Sequence, residues 1–211
     1  MSELALYLPG FIAAYSILVV GASSPGPAVA MLLGIASSQG RSAALVTCLG
    51  IALGSATLNV LTLMGVGLLI SQAAWAMTLL RILGAGYLAY LAYGAFRKAS
   101  APPVVQELVM ESLNAGRAFA KGYALQITNP KAIAFWLAIS ALAATDGGGW
   151  TVVAAFILGA AVISFICHAA WALVLSSQAV RRAYQNARRW IEGALGAFFA
   201  FAAFKLATTR I

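Results

Sequence analysis

Long stretches without a charged side chain constrain this sequence more than any other feature. Residues 4–40 contain no charge, and neither do residues 42–80. About 20 consecutive apolar residues cross the hydrocarbon core of a bilayer as one helix, so each stretch can hold at least one span. Only 9% of the 211 residues are charged, whereas soluble domains carry about a quarter. The sequence therefore predicts an all-α integral membrane protein.

Polar interruptions divide the chain into about six predicted transmembrane helices. Helix 1 lies within 4–40, and the others cover about 42–70, 79–96, 122–144, 151–175 and 190–208. The most polar stretch includes Pro102-Pro103 and several charges, a composition that ends helices and favours water. We therefore expect one membrane domain over 1–211, with helices 1–3 in 1–98, a loop at 99–121 and helices 4–6 in 122–211.

Basic residues concentrate in alternate links between the predicted helices, which predicts orientation. The links after helices 1, 3 and 5 carry, in order, Arg41; Arg97, Lys98, Arg117 and Lys121; and Arg181, Arg182, Arg188 and Arg189. Cytoplasmic links are enriched in Lys and Arg, so we expect a bacterial inner-membrane protein with both termini in the periplasm, although Lys205 and Arg210 oppose this. The basic residues that give the net charge of +8 would then lie near anionic lipid headgroups. The charge therefore does not imply a nucleic-acid partner, and none is expected.

Two segments near the membrane surface allow further expectations. The basic segment 176–189 is either an interfacial helix, with Arg181 and Arg188 on one face, or a solvated loop. Residues 1–15 contain no Lys or Arg, so they lack the basic flank of a secretory signal peptide. We expect no cleavage there.

An internal repeat connects the two halves. The sequence LGIALGS at 49–55 shares Leu, Gly, Ala and Ser at identical offsets with LGAAVIS at 158–164. Gly50 precedes Gly84 by the same interval at which Gly159 precedes Gly193. Three helices per half make an odd number, so two equivalent halves would enter the membrane from opposite sides, as in many secondary transporters. The alternative is chance similarity among small residues that let helices approach closely.

The first helix is predicted to break at Ser24, Pro25, Gly26 and Pro27. Proline lacks a backbone donor and disfavours helix at the residue before it. In lipid, a broken helix persists only where it is buried in protein or lines a cavity. The next half-helix would direct free N–H groups at the gap, where a carboxylate would bind well. A simple packing kink is the alternative.

The fourth helix is predicted to break in the same way at Thr128, Asn129, Pro130 and Lys131. These residues supply a hydroxyl, an amide and a cation at one level, which suits a zwitterionic substrate. Charged groups within the membrane are costly and usually face a cavity, so Lys131 is predicted to hold a substrate carboxylate or to exchange protons. Alternatively, its side chain extends to the cytoplasmic interface.

Three other polar residues are candidates. Asn59, in the middle of helix 2, is predicted either to line the pathway or to bridge helices. Glu192 and His168 are candidates for proton coupling, together with Lys131. Glu192 is expected in the first turn of helix 6, where an acid would instead complement the helix dipole. A single His168 beside Trp171 is also consistent with a hydrogen-bonded packing residue.

The sequence contains no pattern typical of an enzyme or a metal site. No Ser-His-Asp set, nucleotide-binding glycine loop or pair of carboxylates is evident. Cys167 and His168 are adjacent and so point about 100° apart on a helix, which does not suit one metal ion. With Cys48, Cys167 is interpreted as a small packing residue. We therefore expect no enzyme activity, no cofactor and no metal.

The ordered set of motifs resembles the lysine exporter family (LysE/RhtB) of amino-acid efflux transporters. The motifs are SPGP at 24–27, GIALG at 50–54, GAGYL at 84–88 and NPKA at 129–132, and the likeness covers essentially the whole chain. The resemblance implies efflux of an amino acid or close derivative from the cytoplasm, driven by protons, with the two proline motifs at the core of the site. No acidic residue lies deep in helices 1, 2, 4 or 5, which favours a neutral substrate.

Two other functions are weighed against export. An inorganic or metal-ion permease would need acidic, His or Cys ligands within the spans. A non-transporting subunit that anchors a partner would need only packing faces, and the polar breaks would then have no explanation. The glycine-rich segment 84–94 could pack within one bundle or between the protomers of a homo-oligomer.

Overall fold

The computed structural model describes residues 3–24, 26–72, 74–101, 113–140, 142, 144–174 and 177–208. Every regular element within these ranges is an α-helix. In chain order the helices are α1 (Glu3–Ser23), α2 (Pro27–Gln72), α3 (Ala74–Ser100), α4 (Ala115–Thr128), α5 (Pro130–Ser140), α6 (Trp150–Val174) and α7 (Gln178–Thr208). The predicted all-α class is confirmed for the described part of the chain.

Several helices have the length and surface of membrane spans. In the described residues, four segments are long and apolar enough to cross a bilayer: Leu4–Ser23, Pro27–Gly65, Trp150–Val174 and Arg182–Thr208. Helix α6 exposes Leu158, Val162 and Ile166 along one face while Ser164 and His168 are buried on another. An exposed apolar stripe of this kind suits lipid rather than water. The protein is an all-α membrane protein, and the number of six spans stays a prediction.

Both predicted helix interruptions are present. Helix α1 ends at Ser23 and α2 begins at Pro27, while α4 ends at Thr128 and α5 begins at Pro130. Proline suits the first position of a helix because its missing N–H would have no intrahelical partner there. Asn129 between α4 and α5 is extended, with φ −73° and ψ 111°. Pro25, a predicted site residue, lies outside the described residues.

Helix α2 is kinked at Gly40, which has φ 84° and ψ −180°. This left-handed region is readily adopted only by glycine. The kink separates a half-helix at 27–39 from a longer helix at 41–72, which agrees with the predicted start of helix 2 near residue 42. At about 1.5 Å per residue, the half-helix is too short to cross the hydrocarbon core by itself.

The second half differs from the sequence predictions at two boundaries. Helix α7 begins at Gln178, so the basic segment from there onward is helical and continuous with predicted helix 6. Glu192 therefore lies in the middle of α7, and its predicted place in a first turn is wrong. Helix α4 begins at Ala115, so residues 115–121 of the predicted loop are helical. The Asn114 side chain caps α4 by accepting a hydrogen bond from the Arg117 N–H, at 2.9 Å.

Glycines allow helices from the two halves to pack backbone against backbone. A Cβ at Gly50 of α2 would overlap the Phe119 carbonyl oxygen of α4, and one at Gly122 would overlap the Thr47 carbonyl oxygen. Small residues give such close approach between membrane helices. Helix α2 of the first half thus packs extensively against α4 of the second half.

A second close contact joins α6 to α1. A Cβ at Gly159 of α6 would overlap the Tyr15 hydroxyl oxygen of α1, and this hydroxyl donates to the Phe156 carbonyl oxygen at 3.0 Å. The Tyr15 ring also stacks on the Phe156 ring, with centroids 5.3 Å apart. Helix α6 of the second half therefore packs against α1 of the first, as α2 packs against α4.

Helices α3 and α7 form an extensive antiparallel contact. A Cβ at Gly84, early in α3, would lie 3.2 Å from Leu206 Cδ2, late in α7. Phe96, late in α3, packs against Gly196, earlier in α7, where an added Cβ would lie 2.7 Å from the ring. Residue numbers therefore rise along α3 as they fall along α7, so the two helices run in opposite directions.

Candidate functional site

The two helix breaks border one cavity. Its empty space amounts to about 480 Å³, including the part open to the surroundings. Residues from α1, α2, α4, α5 and α6 surround it, so both halves contribute. The lining residues are Leu18, Gly21, Ala22, Ser24, Gly26, Pro27, Ala28, Val29, Ser55, Gln126, Asn129, Lys131, Ala132, Phe135, Trp136, Ser164 and His168.

The first break contributes oxygen atoms and a helix N-terminus. Ser24 is buried, and its hydroxyl donates to the Gly21 carbonyl oxygen at 2.9 Å. Beyond the break, the Ala30 N–H donates to the Gly26 carbonyl oxygen at 3.0 Å, which starts the half-helix at 27–39. The first N–H groups of a helix have no intrahelical acceptor, and Ala28 and Val29 border the cavity here. An anion is stabilised at such a position.

The second break is organised by Asn129. Its side-chain Oδ1 accepts a hydrogen bond from the Lys131 N–H at 3.1 Å, and its carbonyl oxygen accepts one from the Ile133 N–H at 3.0 Å. Asn129 is buried and acts as the N-cap of α5. Its extended backbone brings this second helix N-terminus to the cavity.

Lys131 connects the two breaks directly. Its Nζ donates to the Ser24 carbonyl oxygen at 3.0 Å and also contacts the Ser24 hydroxyl. A Cβ at Gly26 would lie 3.3 Å from the same Nζ, so glycine leaves room for the ammonium group. Of the alternatives left by the sequence, the structure has Lys131 at the cavity rather than extended to the interface. Among the described lining residues, it is the only Lys, Arg, Asp or Glu.

A chain of buried hydrogen bonds forms another wall of the cavity. Gln126 Nε2 donates to Ser55 Oγ at 2.7 Å, and Ser55 Oγ lies 3.0 Å from Ser164 Oγ. The His168 Nδ1 lies 2.7 Å from the Ser164 carbonyl oxygen and 3.5 Å from the Ser164 hydroxyl. These contacts join α4, α2 and α6 behind the breaks. They offer a substrate hydroxyls, an amide and an imidazole.

The predicted site residues fall into two groups. Ser24, Gly26, Pro27, Asn129, Lys131 and His168 line the cavity, whereas Thr128, Pro130, Asn59 and Glu192 do not. The exposed Thr128 donates from its hydroxyl to the Ala124 carbonyl oxygen at 2.7 Å, one turn back in α4. Glu192 is only 2% exposed, and its Oε1 lies 3.8 Å from Arg188 Nε within α7.

Other polar and aromatic residues at the cavity were not predicted to belong to the site. Ser55, Ser164, Gln126, Phe135 and Trp136 line it, although none was a predicted site residue. The sequence could have indicated two of them, because Ser55 and Ser164 occupy the same offset in the internal repeat. Identical polar residues at equivalent positions of two halves can meet where the halves meet. In the described residues, no group of three or more His, Cys, Asp or Glu could hold a metal ion.

Comparison with known proteins gives a consistent set of relatives. The sequence model of the LysE type translocator family matches residues 19–210. The threonine efflux protein of Escherichia coli K12 is 33% identical over 192 residues, which cover 86% of this chain and 89% of the relative. The Salmonella typhi threonine efflux protein is 32% identical over 190 residues, with coverage of 86% and 89%. The uncharacterized membrane protein YahN of E. coli K12 is 28% identical over 186 residues, with coverage of 87% and 82%. No solved structure matches the chain.

Proposed function

Because this chain belongs to the LysE type translocator family, it is a membrane transport protein and not an enzyme, and we propose that it exports a small neutral amino acid. The observation that supports this proposal most directly is the contact of Lys131 Nζ with Ser24, which joins the two helix breaks at one cavity. The names of the two threonine efflux relatives support an amino-acid substrate of this kind.

The substrate carboxylate is proposed to bind at Lys131. The ammonium group and the two helix N-termini, at 27–39 and in α5, all favour an anion. The carboxylate would compete with the Ser24 oxygens for Lys131 Nζ. Once Lys131 Nζ has left it, the Ser24 carbonyl oxygen could accept a hydrogen bond from the substrate ammonium group. Both charged groups of a zwitterion would then have partners.

The described cavity lining favours a neutral side chain. A cationic substrate would require a counter-ion, and no described lining residue is Asp or Glu. Ser55, Ser164 and Gln126 could instead hydrogen-bond a small polar side chain. Phe135 and Trp136 supply apolar surface beside them.

Alternating access between two inverted three-helix halves is the proposed mechanism. The first half would comprise α1–α3 and the second α4–α7, with helices 1 and 4 each broken, to give six spans. Helix α2 of the first half packs on α4 of the second, and its proposed counterpart α6 packs in the corresponding way on α1 of the first. This packing supports the arrangement. So does the antiparallel contact of the equivalent helices α3 and α7, because inversion reverses the direction of one half.

Proton coupling is proposed to involve Lys131 or His168, since both line the cavity. Glu192 is a weaker candidate because it is buried beside Arg188 in α7 and does not line the cavity. We further propose the bacterial inner membrane as the location, with basic links in the cytoplasm and both termini in the periplasm. Protons and lipids would then be its other partners, and a homo-oligomer remains a hypothesis.

The other functions gain less support. A metal-ion permease needs a cluster of ligands, and the described residues offer none. An anchoring subunit has no need of two polar breaks around a shared cavity. An amino-acid export test separates the proposed function from these two.

The test is efflux from proteoliposomes that contain the purified protein and are loaded with one labelled amino acid at a time. We expect threonine or another small neutral amino acid to leave faster than lysine or glutamate. The rate should change when a protonophore collapses an imposed pH gradient. If no amino acid leaves faster than from protein-free liposomes, the proposal is wrong.

A further inference from the structure

The Asn59 side chain lies in the described core of α2 without a hydrogen-bond partner. It is 0% exposed, and neither its Oδ1 nor its Nδ2 has a hydrogen-bond partner. Burying an amide without hydrogen bonds costs about 1–3 kcal/mol, and most buried polar groups are satisfied. An Asn in this position therefore requires a reason that the packing seen in this state does not provide.

The internal repeat relates Asn59 to His168. The shift of 109 residues that relates Ser55 to Ser164 also relates Asn59 to His168. Each residue follows its serine by one helical turn, so each lies on the serine's face of its helix. Only one of this pair borders the cavity: His168 lines it, whereas Asn59 does not. Equivalent positions in the two halves thus have different surroundings.

The contact between the two serines defines how the halves could exchange. Ser55 Oγ and Ser164 Oγ lie 3.0 Å apart, so an approximate two-fold axis that relates the halves would pass between them. Rotation about that axis would move Asn59 to the position of His168. If each half can adopt the conformation of the other, the alternative access state is the present one with the halves exchanged. Its cavity would then border Asn59.

We infer that Asn59 lines the substrate pathway in the alternative access state, where its amide hydrogen-bonds the transported amino acid. This inference depends on the proposed function, because it requires two states that bind the same substrate. In the present state the cavity does not reach Asn59, which explains why its Oδ1 and Nδ2 have no hydrogen-bond partner. His168 and Asn59 therefore serve the two faces of one pathway in turn.

Thiol accessibility tests the inference. Cys48 and Cys167 are first replaced by Ala, and Asn59→Cys, His168→Cys and Leu58→Cys are then each introduced. Leu58 is the matched control, because it is the adjacent buried residue of α2 on an apolar face. A small water-soluble thiol reagent should modify Asn59→Cys, despite its burial in this state, and leave Leu58→Cys unmodified. Saturating substrate should change the modification rates at positions 59 and 168 in opposite directions.

Two outcomes separate this inference from the proposed function. If the cysteine-free protein exports an amino acid but Asn59→Cys reacts no faster than Leu58→Cys, the inference is wrong and the export proposal stands. If wild-type protein exports no amino acid, the export proposal itself fails.

A variant in the wild-type background provides a second test. Asn59→Leu should reduce efflux by about tenfold, the effect of one lost hydrogen bond to substrate. Its thermal unfolding midpoint should stay level or rise, because an unpaired buried amide is removed. A merely structural role for Asn59 would instead lower that midpoint, and wild-type efflux by Asn59→Leu would contradict the inference.

Discussion

The two helix breaks border the same cavity but differ in chemistry. The first break contributes the Ser24 carbonyl and hydroxyl oxygens, and its described residues carry no charge. The second contributes an amide from Asn129 and the ammonium group of Lys131. In the contact between the breaks, the first therefore accepts hydrogen bonds and the second donates them, although both also present a helix N-terminus.

If the two halves are related as proposed, this difference would let one site bind an asymmetric substrate. An amino acid has a carboxylate and an ammonium group, which require a donor side and an acceptor side. Two identical breaks would supply one kind of group twice. Because Lys131 contacts Ser24 across the cavity, neither half is expected to form the site alone.

Replacing the charged member of the second break should have the largest effect. Lys131→Met is expected to reduce efflux by about 100-fold, since hydrogen bonds to a charged group contribute up to about 3 kcal/mol. Efflux from proteoliposomes measures this. Lys121→Met, in the exposed part of α4, is the matched control and should export normally. Near wild-type efflux by Lys131→Met would show that Lys131 is not the hydrogen-bond donor for the substrate carboxylate.

Asn129→Ala should have a smaller effect, because the charge remains while its position loosens. The expected loss is about tenfold in efflux, from about 1.4 kcal/mol of lost N-cap stabilisation at the site. Asn114→Ala is a close control, because Asn114 caps α4 through the same kind of bond but does not line the cavity. Both variants should unfold at similar temperatures. Equal losses of efflux in the two would mean that Asn129 matters only for helix stability.

Ser24→Ala should have the smallest effect of the three, since the backbone carbonyl of the first break remains. We expect an approximately fivefold lower efflux rate, which corresponds to about 1 kcal/mol for one hydroxyl. Ser16→Ala provides the control, because this exposed hydroxyl donates only to the Ile12 carbonyl oxygen in α1. A loss as large as that of Lys131→Met would show that the two breaks are not divided into donor and acceptor in this way.

The sequence predicted the breaks well because proline acts locally. Pro27 and Pro130 each begin a helix, as the missing N–H requires, and both breaks reach one cavity. The internal repeat also placed Ser55 and Ser164 at the same offset, and these two residues contact each other in the structure. Local rules and internal comparison were therefore sufficient for the positions at which the helices are interrupted.

The exact helix ends could not be predicted in the same way. Thr128 is adjacent to Asn129 in sequence, yet it is exposed while Asn129 is buried, because Thr128 still belongs to α4 whereas Asn129 is extended between α4 and α5. Glu192 was misplaced because four arginines suggested a polar link, whereas the segment continues as helix α7. Arginine is a good helix former, so its charge alone does not mark a helix end.

Substrate protection of two engineered cysteines tests the central claim of one site between both breaks. Ala28 and Ala132 line the cavity at the two converging helix N-termini, and Ala44 is a buried control away from it. With Cys48 and Cys167 replaced by Ala, each position is changed to Cys and alkylated with a soluble thiol reagent at increasing amino-acid concentrations. The account predicts that the exported amino acid protects Ala28→Cys and Ala132→Cys with the same half-protecting concentration, while Ala44→Cys stays unreactive. Protection of only one of the two, or of neither, would contradict it.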